Sequence, residues 1–170
     1  QLITTVGEAE KISHISLRYF NVVGSAISEF GDNSKDNLVP KVFSALKSGN
    51  RPEIYGASYP TPDGSCIRDY IHVQDLAKAH IAALKRCESG FTSAIYNVGS
   101  GRGYSVKEMM AQISETLGRD INPQESPARA GDSPKLIASI EKIESELGWH
   151  PVATLQEMID SSWDAERSNS

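Results

Sequence analysis

The chain has 170 residues, 39% of them hydrophobic and 23% charged, with 17 basic against 22 acidic side chains and a formal net charge of −5. That composition describes an ordinary globular chain, long enough to bury a core without a metal or disulfide staple, and it excludes wholesale disorder. Mild acidity without a Lys/Arg cluster argues against nucleic acid as a partner, and no uninterrupted apolar stretch approaches the roughly 18 residues of a membrane span.

The two cysteines, Cys66 and Cys87, lie far apart without a CxxC pattern or a flanking histidine pair. They argue against zinc and for a reduced, cytoplasmic setting. The sequence opens on Gln1 and has no charged-then-apolar leader, so it is expected to be the later part of a longer protein.

In chain order, residues 14–20 (HISLRYF) predict a strand. Leu38, Val39, Val42, Phe43 and Leu46 then form the apolar stripe of a first helix. Residues 65–73 (SCIRDYIHV) read as a strand-like apolar run interrupted by two charges, Arg68 and Asp69. Leu76, His80, Ala83, Leu84 and Cys87 mark a second helix, with Asp75 placed to cap it. After a short apolar strand at 94–98 (AIYNV), Ser105 and Glu108 form a capping box. The helix it opens runs through Val106, Met109, Met110, Ile113 and Leu117 and stops at Gly118. Ile140, Ile143 and Leu147 end at Gly148, and a second capping box, Thr154 and Glu157, precedes Leu155, Met158, Ile159 and Trp163.

This alternation predicts an α/β fold with parallel, buried strands. Two strands cannot complete such a sheet, so its other strands are expected upstream.

Three stretches could carry chemistry, and each has a plain structural alternative. Residues 97–105 (NVGSGRGYS) form a glycine-rich turn between strand and helix, but Tyr104 stands where a dinucleotide fingerprint needs its third glycine. A simple turn is therefore favoured over a pyrophosphate cradle. Arg68 and Asp69 either pair with each other, or the arginine meets a ligand where the turn-rich stretch 59–64 enters a packed element. Residues 126–134 (SPARAGDSP) place Arg129 and Asp132 in a polar loop, which is either merely solvated or the second half of a diphosphate clamp. His72 and His80 lack metal-ligand spacing and read as core or capping groups, and no nucleophile-elbow motif is present.

Residues 17–25 (LRYFNVVGS), 36–42 (DNLVPKV), 59–80 (YPTPDGSCIRDYIHVQDLAKAH), 96–109 (YNVGSGRGYSVKEM) and 129–134 (RAGDSP) together resemble the C-terminal half of the UDP-glucose 4-epimerase family. That family belongs to the extended short-chain dehydrogenase/reductase enzymes. The long approach through "TPDG" favours the epimerase branch over the related dehydratases. The resemblance implies a substrate-binding lobe, with segments 14–25 and 94–103 completing a Rossmann-type parallel sheet of an NAD-binding domain that this chain lacks. It implies UDP-glucose and UDP-galactose as substrates, NAD as cofactor, and a homodimer.

Carried over position by position, Asn21 would contact the substrate phosphates and Phe20 would lie beside the nicotinamide. Asn37 and Leu38 would begin the helix that touches the nucleotide. Glu53, Ile54 and Tyr55 would border the uracil, with Tyr55 against the base. Arg68 and Arg129 would bind the diphosphate and Asp132 the ribose, while Asp69 would hold a loop. Leu136 would stand at the sugar end of the pocket. None of the six tyrosines has a lysine four residues on, so the family's Y-x-x-x-K catalytic pair is expected to be missing.

Overall fold

A computed structural model describes residues 2–34 and 36–169. Its first element, α1 (Leu2–Glu10), has no counterpart in the sequence reading. It leads into β1 (His14–Tyr19), which pairs in parallel with β5 (Ser93–Val98), from His14 opposite Ser93 to Tyr19 opposite Val98. Both strands are therefore where the apolar runs predict them.

One residue after β1 the chain changes sheets. β2 (Asn21–Val23) lies parallel to the second half of β4 (Ile67–His72), whose first half pairs antiparallel with β6 (Gly103–Ser105) and parallel with β8 (Lys135–Leu136). A third, two-stranded parallel sheet joins β3 (Glu53–Tyr55) to β7 (Gln124–Ser126). The two-residue and three-residue strands have too few positions to show a period of two, which is why most of them escape sequence reading.

Two apolar cores form around these sheets. In the first, Val39, Val42 and Phe43 of α2 (Leu38–Lys47) meet Met109, Met110 and Ile113 of α4 (Val106–Leu117) and Met158 and Ile159 of α6 (Leu155–Ser168). The rings of Phe43 and Trp163 pack at 5.3 Å, tilted by 54°. In the second, Leu76 and Ala79 of α3 (Val73–Glu88) pack with Ile71, Tyr96, Val98, Trp149 and Ile143 of α5 (Glu141–Leu147). Ile113 and Ile159 are fully buried, so truncating either to alanine should cost about 2–5 kcal/mol. Both predicted capping boxes are present: the Ser105 and Thr154 hydroxyls each accept the N–H three residues on, and Glu108 and Glu157 return the bond.

The second helix departs from its predicted form. Its buried stripe is Leu76, Ala79 and Ala83, while His80 and Leu84 are exposed. Its cap is His72, whose ring Nδ1 accepts the Gln74 N–H at 3.1 Å, because β4 runs into the helix without a loop. Asp75 does not cap; instead its buried carboxylate accepts the N–H groups of Val152 and Ala153, both at 2.9 Å, and pairs with Lys78. Burial opposes ionisation there, but those amides and the ammonium outweigh it and hold the acid below its ordinary range. Among the described residues, no helix is long and apolar enough to cross a membrane.

Candidate functional site

Strand β4 organises the site. Side chains alternate along an extended strand, so Arg68 and Asp69 do not pair; they serve opposite faces. Asp69 is fully buried and accepts the Ser100 N–H and hydroxyl, both at 2.7 Å, and the N–H groups of Gly101 and Ala138, both at 3.1 Å. This carboxylate gathers the glycine-rich turn and the segment before α5 onto the strand. It thereby occupies the Ser100 and Gly101 amides of the glycine-rich turn.

Arg68 points the other way. Its Nη1 donates to the Ile67 carbonyl at 3.0 Å and the Ser133 carbonyl at 2.7 Å, and its Nη2 lies 3.4 Å from Asp132 Oδ1. The guanidinium therefore fastens the 127–134 loop while presenting itself to a cavity of about 750 Å³.

Eight of the predicted binding residues line that cavity: Asn21, Asn37, Leu38, Glu53, Tyr55, Arg68, Arg129 and Asp132. The Asn21 amide is fixed by donating to the Asp69 carbonyl at 3.1 Å. Asn37 occupies the N-cap position of α2 but spends its side chain on Asp32, at 2.7 Å, and makes no cap bond of its own. On β3, Glu53 accepts the Tyr55 hydroxyl and, at 2.8 Å, the Ser126 hydroxyl; these bonds hold its carboxyl below the usual carboxylate range. The Arg129 guanidinium carbon lies 3.8 Å from the centre of the Tyr55 ring, and Lys41 Nζ lies 5.4 Å from it.

Three predicted residues stand apart. Ile54 is buried in the first core, because alternation turns it away from Glu53 and Tyr55. Leu136 is opposite Arg68 in the β4–β8 register but is about half exposed and does not line the cavity. Phe20 sits between β1 and β2, outside the cavity, donating its N–H to Val98 O at 3.1 Å.

Other lining residues are not singled out by sequence reading, Lys41 and Cys66 among them. Lys41 follows Asn37 by four positions, so the helical repeat alone could have placed both on one face. Cys66 is buried against the cavity wall, and its position carries no comparable signal.

Lys41, Arg68 and Arg129 thus surround a space that also presents an aromatic face and carboxylate acceptors. Such a set suits a ligand with a planar ring, hydroxyls and more than one phosphate charge. Among the described residues, no group of three or more His, Cys, Asp or Glu side chains could hold a metal ion.

Residues 1–99 match the model of the "NAD dependent epimerase/dehydratase family". A UDP-glucose 4-epimerase of Corynebacterium glutamicum is 43% identical over 166 residues, covering 95% of this chain and 50% of that protein. A bifunctional UDP-glucose 4-epimerase and UDP-xylose 4-epimerase of Pisum sativum is 42% identical, covering 91% and 46%. Among solved structures, the UDP-glucose 4-epimerase of Bifidobacterium longum in complex with NAD+ and UDP superposes with a TM-score of 0.88 at 36% identity, covering 99% of this chain and 52% of that one. The Stenotrophomonas maltophila enzyme, with bound NAD and formylated UDP-arabinopyranose, gives 0.91 at 32% identity over 99% and 52%. The chain spans about half the length of these relatives and so matches one portion of such enzymes.

Proposed function

The chain belongs to the NAD dependent epimerase/dehydratase family, and from that premise we propose that it is the UDP-sugar-binding portion of a UDP-glucose 4-epimerase. The observation that carries this reading is the convergence of Arg68 and Arg129, 61 positions apart in sequence, on one cavity with Tyr55 and Asp132. In it the two guanidinium groups neutralise the diphosphate, the amide of Asn21 and the N-terminal end of α2 add donors, and Tyr55 packs against the base. Asp132 accepts from ribose hydroxyls.

The whole protein then interconverts UDP-glucose and UDP-galactose in the cytoplasm, as a homodimer. Segments 14–25 and 94–103 belong to its dinucleotide domain. With no Y-x-x-x-K pair in its sequence, this chain recognises substrate and does not epimerise it unaided.

Calorimetric titration with UDP tests the reading. Removing either guanidinium, as Arg68→Ala or Arg129→Ala, should weaken binding by about 1.5–3 kcal/mol, the ordinary loss of a hydrogen bond to a charged partner. Equal affinity in wild type and both variants would remove the nucleotide from this cavity. Appearance of UDP-glucose from UDP-galactose with the chain and added NAD would refute its inactivity. A panel containing UDP-xylose, assayed with the complete enzyme, separates hexose from pentose specificity.

A further inference from the structure

Glu53 and Tyr55 stand on one face of β3, with Ile54 turned into the core between them. The Tyr55 hydroxyl donates to Glu53 Oε2. The hydroxyl of Ser126, opposite Tyr55 in the β3–β7 register, donates to Glu53 Oε1 at 2.8 Å. Each carboxylate oxygen thus accepts one bond and keeps capacity for another. The same two hydroxyls, with smaller help from the charges of Lys41 and Arg129, keep the group ionised.

Lys41 reaches the same place from α2. Its N–H donates to Asn37 O at 3.1 Å, one helical turn back, and its Nζ lies 5.4 Å over the centre of the Tyr55 ring. None of its three ammonium donors is given to an acceptor among the described residues. Glu53 and Lys41 therefore bring an acceptor and a donor, both with capacity to spare, to one aromatic ring on the cavity wall.

Stacking on an aromatic ring is nearly indifferent to which base is stacked, because every base has a π-face. Tyr55 can therefore hold a base without choosing it. Choice needs polar groups at the base's edge, and a site whose polar groups the wrong partner leaves unpaired discriminates strongly.

We propose that Glu53 and Lys41 select the base: the carboxylate accepts the N3–H of uracil while the ammonium donates to the neighbouring carbonyl oxygen. Cytosine reverses both groups, with an acceptor at N3 and an amine beside it, and is rejected. The inference rests on the UDP-sugar reading and extends it from the diphosphate to the base.

Calorimetric titration with UDP, CDP and pyrophosphate tests it. The wild-type chain should bind UDP roughly tenfold or more tighter than CDP. Glu53→Gln supplies an amide that can donate to cytosine N3, and Lys41→Met removes the donor to the carbonyl. In each variant the preference should fall to roughly threefold or less, chiefly through weaker UDP binding. Pyrophosphate, which has no base, should be nearly unaffected. Equal UDP and CDP affinity in wild type, equal losses for both nucleotides in the variants, or a pyrophosphate loss as large as the UDP loss would each overturn the proposal. If Arg68→Ala weakens UDP binding while both variants keep the wild-type preference, this inference falls alone; if no variant weakens UDP binding, the UDP-sugar reading falls with it.

Discussion

Arg68 and Asp69 are neighbours in sequence with opposite assignments: the guanidinium reaches the carbonyl of Ser133 across one face of β4, and the carboxylate reaches Ser100, Gly101 and Ala138 across the other. One charge is offered to the cavity. The other is fully buried and answered by four donated hydrogen bonds.

Asp69 should accordingly govern stability and Arg68 binding. Asp69→Ala leaves the N–H groups of Ser100, Gly101 and Ala138 without their acceptor, and urea unfolding should show a loss of about 3 kcal/mol or more. An unchanged urea midpoint would mean that the turn is held by something else.

The same carboxylate constrains Gly99. A Cβ there would lie 2.6 Å from Asp69 Oδ2 and 2.7 Å from Ala138 Cβ, and neither can move without breaking the bonds just described. Gly99→Ala should therefore destabilise by about 1–3 kcal/mol in the same measurement. Full stability would show that the turn can slide on the strand.

Acid should weaken the fold in two stages. Burial lowers the His72 pKa below its ordinary 6.5, against the opposing pull of Asp75 and Glu157. The stabilisation from a depressed base is complete above the unfolded value and is lost as pH falls through the folded one. Asp75 is also depressed, from 3.8, so its contribution is intact above that value and disappears further down the acid limb. Urea midpoints recorded from pH 7 to pH 3 should show the first step and the onset of the second, with His72→Asn flattening the first and Asp75→Asn the second. A midpoint in wild type that does not fall below pH 6.5 would contradict the assignment to His72.

Leu136 should be silent toward the nucleotide. It is about half exposed and outside the cavity lining, so Leu136→Ala should change UDP affinity by no more than about twofold, the usual reach of a surface substitution. A larger loss would bring β8 into the site.

The features legible in the sequence are those encoded locally. The capping boxes at Ser105 and Thr154 and the strand runs at 14–20 and 94–98 follow from short-range repeats, whereas the sequence leaves open whether Arg68 pairs with Asp69. What escapes depends on partners distant in the chain. Asp75 has the spacing of a cap, whereas its true partners, Val152 and Ala153, are 77 and 78 residues away. α1 escapes because its first turn carries no acid and its last no base, and its apolar residues Leu2, Ile3 and Val6 are exposed rather than buried. Ile54 adjoins Glu53 and Tyr55 in sequence, but a strand's alternation separates it from both.

The β1–β5 pair has a practical side. Among the described residues each strand has only the other as a ladder partner, and Ile12, Tyr19, Phe91 and Ile95 are exposed on or beside them. Open strand edges with apolar neighbours favour association between copies, and the restraint on that is net charge. With an isoelectric point near 5.4, this chain loses its charge in mildly acidic buffer. Light scattering from concentrated samples should therefore climb toward that pH and with added salt, which makes dilute, slightly alkaline, low-salt buffer the natural storage condition.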